Sequence, residues 1–345
     1  MAVNTAKKRA TVIDVARLAR VSKSTVSLAL KNSELLRKET RWRVHQAADQ
    51  LGYVRNRSAA RLRGASTDII GMVINDLGNP FFAEMAVGIE RACRRADVTP
   101  FIANVTEDVE RQRSAMRSMV ERGVAGLIIS AARGTTADDL STVMGWGVPV
   151  ILVMREIPGA GLPTIVPQNK AGAELAVHHL ISLGHRRIAL VGGVRGEPAY
   201  QARLAGWKNA LKRAGLPTGK NLIFTGPVTR EGGARALGRA LDCALARPSA
   251  ALCFNDIVAI GGVQELWRRG MTAGEHFAMV GFDDVAHGRM TTPELTTVSV
   301  DSAAIGEKAV ETLLQNIGGG RFTGTIRTPV ALAVRQTCAQ ARPAP

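Results

Sequence analysis

The chain has 345 residues, 45 Lys and Arg against 29 Asp and Glu, a net charge of +16, and only four cysteines. That length supports a small domain plus a larger body able to split into lobes. Cys93, Cys243, Cys253 and Cys338 are far apart without C-x-x-C spacing, so neither a zinc site nor a disulfide framework is expected. No apolar run follows Lys7-Lys8-Arg9, and Met144 to Met154 is too short to span a bilayer, so neither an export signal nor a membrane anchor is expected and the setting reads as cytoplasmic.

The charge is lopsided. Residues 1–64 hold 15 of the basic and four of the acidic side chains, so +11 of the +16 lies in the first fifth of the chain. Within that segment Thr11 precedes an amphipathic run, with Asp14 three residues on and Val12, Val15, Ala16 and Ala19 on one face. Ser22 is placed to cap a second helix, Lys23 to Leu30, that buries Val26, Ala29 and Leu30 and keeps its first turn short and polar. A third helix is read over Glu39 to Leu51, with Val44, Ala47, Ala48 and Leu51 at helical spacing. Two capped helices across a tight turn, in a cationic segment, outline a helix-turn-helix reader of duplex DNA. A generic basic surface, or one that contacts RNA or a membrane, explains the charge but not the two caps. Lys23 and Ser24 can hydrogen-bond base edges, whereas Leu28 offers only apolar contact.

After a linker at Gly64 to Thr67, β-branched runs alternate with longer amphipathic helices. The first series reads as strand Ile69–Ile74, helix Phe81–Ala96, strand Phe101–Asn104, helix Val109–Arg122, strand Gly126–Ser130, helix Ala137–Trp146 and strand Val150–Val153. The second has helices Lys170–Leu183, Tyr200–Ala214, Glu231–Leu245 and Asp256–Arg269 between strands Arg187–Gly192, Leu222–Thr225, Ala250–Cys253 and Phe277–Gly281. Two such series predict an α/β body of two doubly wound parallel-sheet lobes behind a small all-α headpiece. Ligands of open parallel sheets bind beyond the carboxyl ends of the strands. Asn79-Pro80-Phe81-Phe82 stands at one such end, its rings suited either to wall a sugar or base or simply to begin a buried helix. Asn255-Asp256 and Asp283-Asp284 stand at two more; a helix cap for the first and a metal-binding carboxylate pair for the second are the alternatives. Gly192-Gly193 with Gly196 is not a dinucleotide fingerprint, there is no Walker lysine and no G-x-S-x-G elbow, and His178, His179 and His185 lack metal-ligand spacing. No cofactor, metal or catalytic residue is expected.

The stretch T-V-I-D-V-A-R-L-A-R-V-S-K-S-T-V-S-L-A-L-K-N, residues 11–32, strongly resembles the headpiece of the LacI/GalR family of bacterial repressors, and the likeness continues through almost the whole chain. It implies a headpiece over 1–64 and a periplasmic-binding-protein-like effector and dimerisation core over 65–345. The implied N-lobe is about 68–167 plus 298–328, and the C-lobe about 168–297 plus 329–338. It further implies DNA contacts from Thr11, Ser22, Lys23, Ser24, Thr25, Ser27 and Leu28. Asn56-Arg-Ser-Ala-Ala-Arg-Leu62 resembles the family's hinge helix, in which Asn56, Ala59 and Leu62 would meet DNA and Leu62 would wedge into the minor groove. Two positions depart from the pattern: Arg20 where glycine is usual, and Arg55 where proline is usual. Ala202-Arg-Leu-Ala-Gly-Trp207 matches the family's R-x-x-G-[FW] pattern, so Arg203 is expected to join Phe81, Phe82, Asn255 and Asp283 around the effector, with Asp256 capping the following helix. The expected function is a homodimeric repressor on a palindromic operator, tuned by a sugar, sugar acid or sugar phosphate. The alternative is a small-molecule binding protein or enzyme on the same two lobes.

Overall fold

The computed structural model describes residues 10–30, 33–53, 68–245 and 247–341, and divides into two compact units, residues 1–66 and 67–345. The hinge residues Asn56, Ala59 and Leu62 lie outside the described residues.

The first unit contains helices α1 (Val12–Ala19), α2 (Lys23–Ala29) and α3 (Lys38–Gln50). A reciprocal capping box starts α1: the Asp14 amide donates to Thr11 Oγ1 at 3.4 Å and the Thr11 amide to Asp14 Oδ2 at 2.8 Å. Ser22 Oγ accepts the Thr25 amide at 3.1 Å to start α2. Val15, Ala16, Ala19, Val26, Ala29, Val44, Ala47 and Ala48 form the core, a small-residue centre that lets three short helices cross closely. Leu30 is half-buried at its edge rather than inside it, and Leu51 lies exposed beyond the end of α3.

The second unit opens with β1 (Ile69–Ile74), α4 (Pro80–Arg95), β2 (Thr99–Asn104), α5 (Val109–Glu121), β3 (Leu127–Ile129), α6 (Ala137–Met144), β4 (Val150–Val153) and β5 (Thr164–Pro167). It continues with α7 (Asn169–Ser182), β6 (Ile188–Val191), α8 (Pro198–Arg213), β7 (Ile223–Phe224), α9 (Arg230–Asp242), β8 (Ala250–Cys253), α10 (Asp256–Arg268) and β9 (Ala278–Asp283). The chain then runs through α11 (Ala286–Arg289), β10 (Thr296–Ser299), α12 (Ser302–Ile317), β11 (Thr325–Thr328) and β12 (Ala331–Ala333). One sheet has the order β11-β5-β4-β3-β1-β2 and the other β12-β10-β9-β8-β6-β7; among the described strand pairs only β10–β12 is antiparallel. These are the two doubly wound lobes expected from the alternation. The chain passes between them after Pro167, after Ser299 and after Thr328, and the Gln168 amide ties two of these crossings by donating to the Thr328 carbonyl at 3.0 Å.

Helix pairs cover the sheets and set their spacing by missing side chains. At the α4–α12 crossing a β-carbon added to Gly88 would stand 2.1 Å from the Ala303 carbonyl oxygen, inside any allowed contact with backbone. Gly88→Ala should therefore force the two helices apart and cost about 1–3 kcal/mol. Urea unfolding of the variant is expected to show a lowered midpoint; an unchanged midpoint would mean that this crossing is not set by Gly88.

Candidate functional site

In the first unit the recognition candidates surround the α1–α2 turn. Ser22, Lys23, Ser24 and Ser27 are exposed on α2, Thr25 and Leu28 are half-buried, and Thr11 is exposed at the start of α1. Ser22 Oγ also lies 2.7 Å from Ser24 Oγ and 2.8 Å from Thr25 Oγ1, so these hydroxyls hold one another and can exchange that bond for a base edge or phosphate. Two large apolar side chains that no sequence motif marks, Ile13 on α1 and Trp42 on α3, are also exposed.

In the second unit Phe81, Phe82, Arg203, Asn255 and Asp283 all line one cavity of about 270 Å³ between the lobes. The N-lobe supplies the two rings, fixed by the turn before α4, where Asn79 Oδ1 accepts the Phe81 amide at 3.1 Å and Pro80 begins the helix. The rings meet edge to face at 5.5 Å, and both are buried, so Phe81 and Phe82 serve packing and wall the cavity at once.

The C-lobe wall is built on Arg203, which is 4 % exposed. Its Nε donates to Asn169 Oδ1 at 2.9 Å, one terminal nitrogen donates to the Phe254 carbonyl, and the other lies 3.7 Å from Asp283 Oδ1. Its central carbon sits 3.6 Å from the centroid of Phe282 and 4.7 Å from that of Phe254, so aromatic faces meet the guanidinium plane. Burial pulls the Arg203 guanidinium down to about 10, against the opposing influence of Asp283. Burial likewise pushes the Asp283 carboxyl up to about 8, despite the Arg203 charge and a hydrogen bond with Asn255.

Asn255, not Asp256, caps α10: its Oδ1 accepts the Val258 amide at 3.1 Å. Asp256, the first helical residue, is buried and turned toward the sheet, where it accepts Thr297 Oγ1 at 2.5 Å and the Val285 amide at 2.9 Å; burial raises its carboxyl to about 6. The two neighbours thus divide the roles of cap and strand tie. Asp284 pairs with Arg335 at 2.5 Å and Arg289 at 3.2 Å, so it is engaged away from Asp283.

Four further charged groups of the cavity lie on loops that showed no motif. Glu107 Oε1 accepts Asn75 Nδ2 at 2.8 Å, Glu107 Oε2 accepts the Arg133 amide at 2.6 Å, and Asn75 in turn accepts Ser130 Oγ at 2.8 Å. Arg155 holds Glu107 at 3.1 Å and lies 3.6 Å from Glu197, which also pairs with Arg133. Burial works against ionisation of Glu107, but Arg155, Asn75 and the Arg133 amide outweigh it and hold its carboxyl below the ordinary range. Glu197 belongs to the C-lobe and both arginines to the N-lobe, so one carboxylate fastens the lobes together across the cavity. The only signal in the sequence was position: each of these groups follows a strand end.

Because Asp283 is raised above its unfolded value, the stability contributed by its neutral form is fully present below about pH 4 and is lost as pH rises through its folded value. Without ligand, urea midpoints should fall between about pH 6 and 8, above the range in which Asp256 titrates, and level off above the folded value of Asp283; Asp283→Asn, which cannot ionise, should flatten that fall. An equally steep fall in the variant would assign the loss to other groups.

Residues 67–335 match the family described as periplasmic binding proteins and sugar binding domain of LacI family, and residues 11–56 match bacterial regulatory proteins, lacI family. The ribose operon repressor of Haemophilus influenzae is 30 % identical over 308 residues, covering 89 % of this chain and 92 % of the relative. The transcriptional repressor PurR of Aliivibrio salmonicida is 29 % identical over the same shares. Among solved structures, the Lac repressor dimer bound to operator and the anti-inducer ONPF superposes with a TM-score of 0.85 at 27 % identity, covering 96 % of this chain and 100 % of that one. A LacI family regulator from Enterococcus faecium with bound ribose superposes at 0.72 and 26 % identity, covering 79 % of this chain and 100 % of that one.

Proposed function

Because the chain belongs to the LacI family of bacterial regulatory proteins, we propose that it is a repressor that binds a palindromic operator as a homodimer and responds to a small carbohydrate-derived effector held between its lobes. It acts in the cytoplasm, as a binding protein rather than an enzyme. The observation that carries the reading is the convergence of three aromatic rings and paired donors and acceptors on a single inter-lobe cavity. Aromatic faces suit the apolar side of a sugar ring, and paired polar groups suit its hydroxyls. Dimerisation is supported by exposed apolar side chains on both lobes, Phe101 and Ile102 on the edge strand β2 and Trp267 and Met290 on the C-lobe. Two headpieces also match the two-fold symmetry of a palindrome.

Within the class of sugars, sugar acids and sugar phosphates, the cavity favours a neutral member. Arg155 faces Glu107 and Glu197 and Arg133 faces Glu197, while two nitrogens of Arg203 are held by Asn169 and the Phe254 carbonyl, so each cavity arginine is already engaged. An anionic ligand would have to break one of these partly buried contacts. Calorimetric titration of the full chain with neutral sugars, sugar acids and sugar phosphates should find the tightest binding among the neutral sugars; binding confined to the anionic ones would contradict the charge argument. Arg203→Ala should weaken that ligand by about 1–3 kcal/mol, a factor of about 5–150. The variant should keep its ligand-free operator affinity and lose most of the response. A wild-type response would put the effector elsewhere.

The headpiece reading is tested by Leu28→Arg, which replaces an apolar contact with a guanine-reading fork. Selection from a random duplex library should return a changed half-site preference; an unchanged preference would remove Leu28 from base reading.

A further inference from the structure

Helix α1 ends in a backbone conformation that suits glycine, yet an arginine occupies it. Arg20 has φ 54° and ψ 49°; its amide donates to the Arg17 carbonyl at 3.3 Å and the next amide, of Val21, to the Ala16 carbonyl at 3.0 Å. These are the paired bonds of a Schellman ending, whose left-handed residue is strained when it carries a β-carbon. Packing does not require the side chain: Val15, Ala16 and Ala19 are buried beneath the turn and Val21 packs against them, while Arg20 is exposed. Among the described residues neither Arg20 nor Lys23 has an acidic partner, and the one acidic neighbour of Arg17 is Asp14 at 3.8 Å, already engaged by the Thr11 amide and hydroxyl. Arg17, Arg20 and Lys23 line one shallow groove along the turn, with Ile13 and Val21 as its apolar floor.

A residue that strains the backbone, adds nothing to the core and leaves its charge unpaired points to a ligand for that charge. We propose that Arg20 is a phosphate clamp: its guanidinium fork takes a backbone phosphate of duplex DNA beside the turn, flanked by Arg17 and Lys23 and indifferent to base sequence. This rests on the reading of the headpiece as a DNA reader. It adds a contact made by the turn itself, not by the exposed face of α2.

The test uses the full chain and a short duplex of random sequence, with binding followed by fluorescence anisotropy across a salt series. Arg20→Gly removes the charge and relieves the backbone. It should melt no lower than the wild type, bind the duplex more weakly at low salt, and show a plot of log affinity against log salt shallower by about 0.9. Arg20→Lys, which keeps the charge, should retain most of the wild-type slope. Equal slopes for Arg20→Gly and the wild type would overturn the clamp while leaving the DNA reader standing. Absence of salt-dependent binding by the wild type would overturn both.

Discussion

Burying one guanidinium organises the C-lobe half of the cavity. A desolvated arginine is costly unless its donors are met, and removing a single partner from such a site leaves a charge that water cannot reach. Arg203 meets the requirement with groups from three separate places: Asn169 at the start of α7, the Phe254 carbonyl after β8 and Asp283 at the end of β9. Phe282 and Phe254 close over its faces. Helix α8 and these strand ends therefore cannot shift independently. The cavity wall is set before a ligand arrives, which reduces what binding must spend on ordering it.

The N-lobe half is built differently, from a chain of smaller bonds running through Ser130, Asn75, Glu107 and Arg155. Strain accompanies it. Glu107 has φ 57° and Met154 φ 66°, and on the opposite wall Asp283 has φ 122°, all non-glycine residues at the ends of strands and all lining the cavity. Such conformations cost on the order of 1–3 kcal/mol each and persist where neighbouring contacts over-determine them. Glu197 then links the two constructions through Arg133 and Arg155. A ligand that displaces or reinforces those pairs acts on the relation between the lobes, not only on its own contacts.

Much of this was legible in the sequence for identifiable reasons. The Thr11–Asp14 box, the Ser22 cap and the 3.6-residue spacing are local, and local signals survive folding unchanged. The alternation of strands and helices gave both lobes, and strand-end position brought Phe81, Phe82, Asn255 and Asp283 to one cavity. Partly exposed strands were less visible: β11 and β12 bury none of their residues fully, and the edge strand β2 begins two residues before its apolar stretch. Asp256 was misassigned because adjacent polar residues at a strand end can exchange the roles of cap and strand tie, and only the direction of each side chain separates them. Arg133 and Arg155 lie on loops in a chain rich in surface arginine, and nothing local distinguishes an arginine that will meet a carboxylate from the other lobe; Glu107, also on a loop, meets Arg155 of its own lobe.

The repressor proposed above couples its inter-lobe cavity to DNA. Coupling between two sites is reciprocal, so the factor by which a ligand changes operator affinity must equal the factor by which operator changes ligand affinity. The direct measurement is calorimetric titration of the full chain with the sugar selected by screening, once alone and once saturated with the selected operator. Ligand affinity should change by the same factor found for DNA, on the order of 5–150. Identical ligand affinity with and without operator would contradict it.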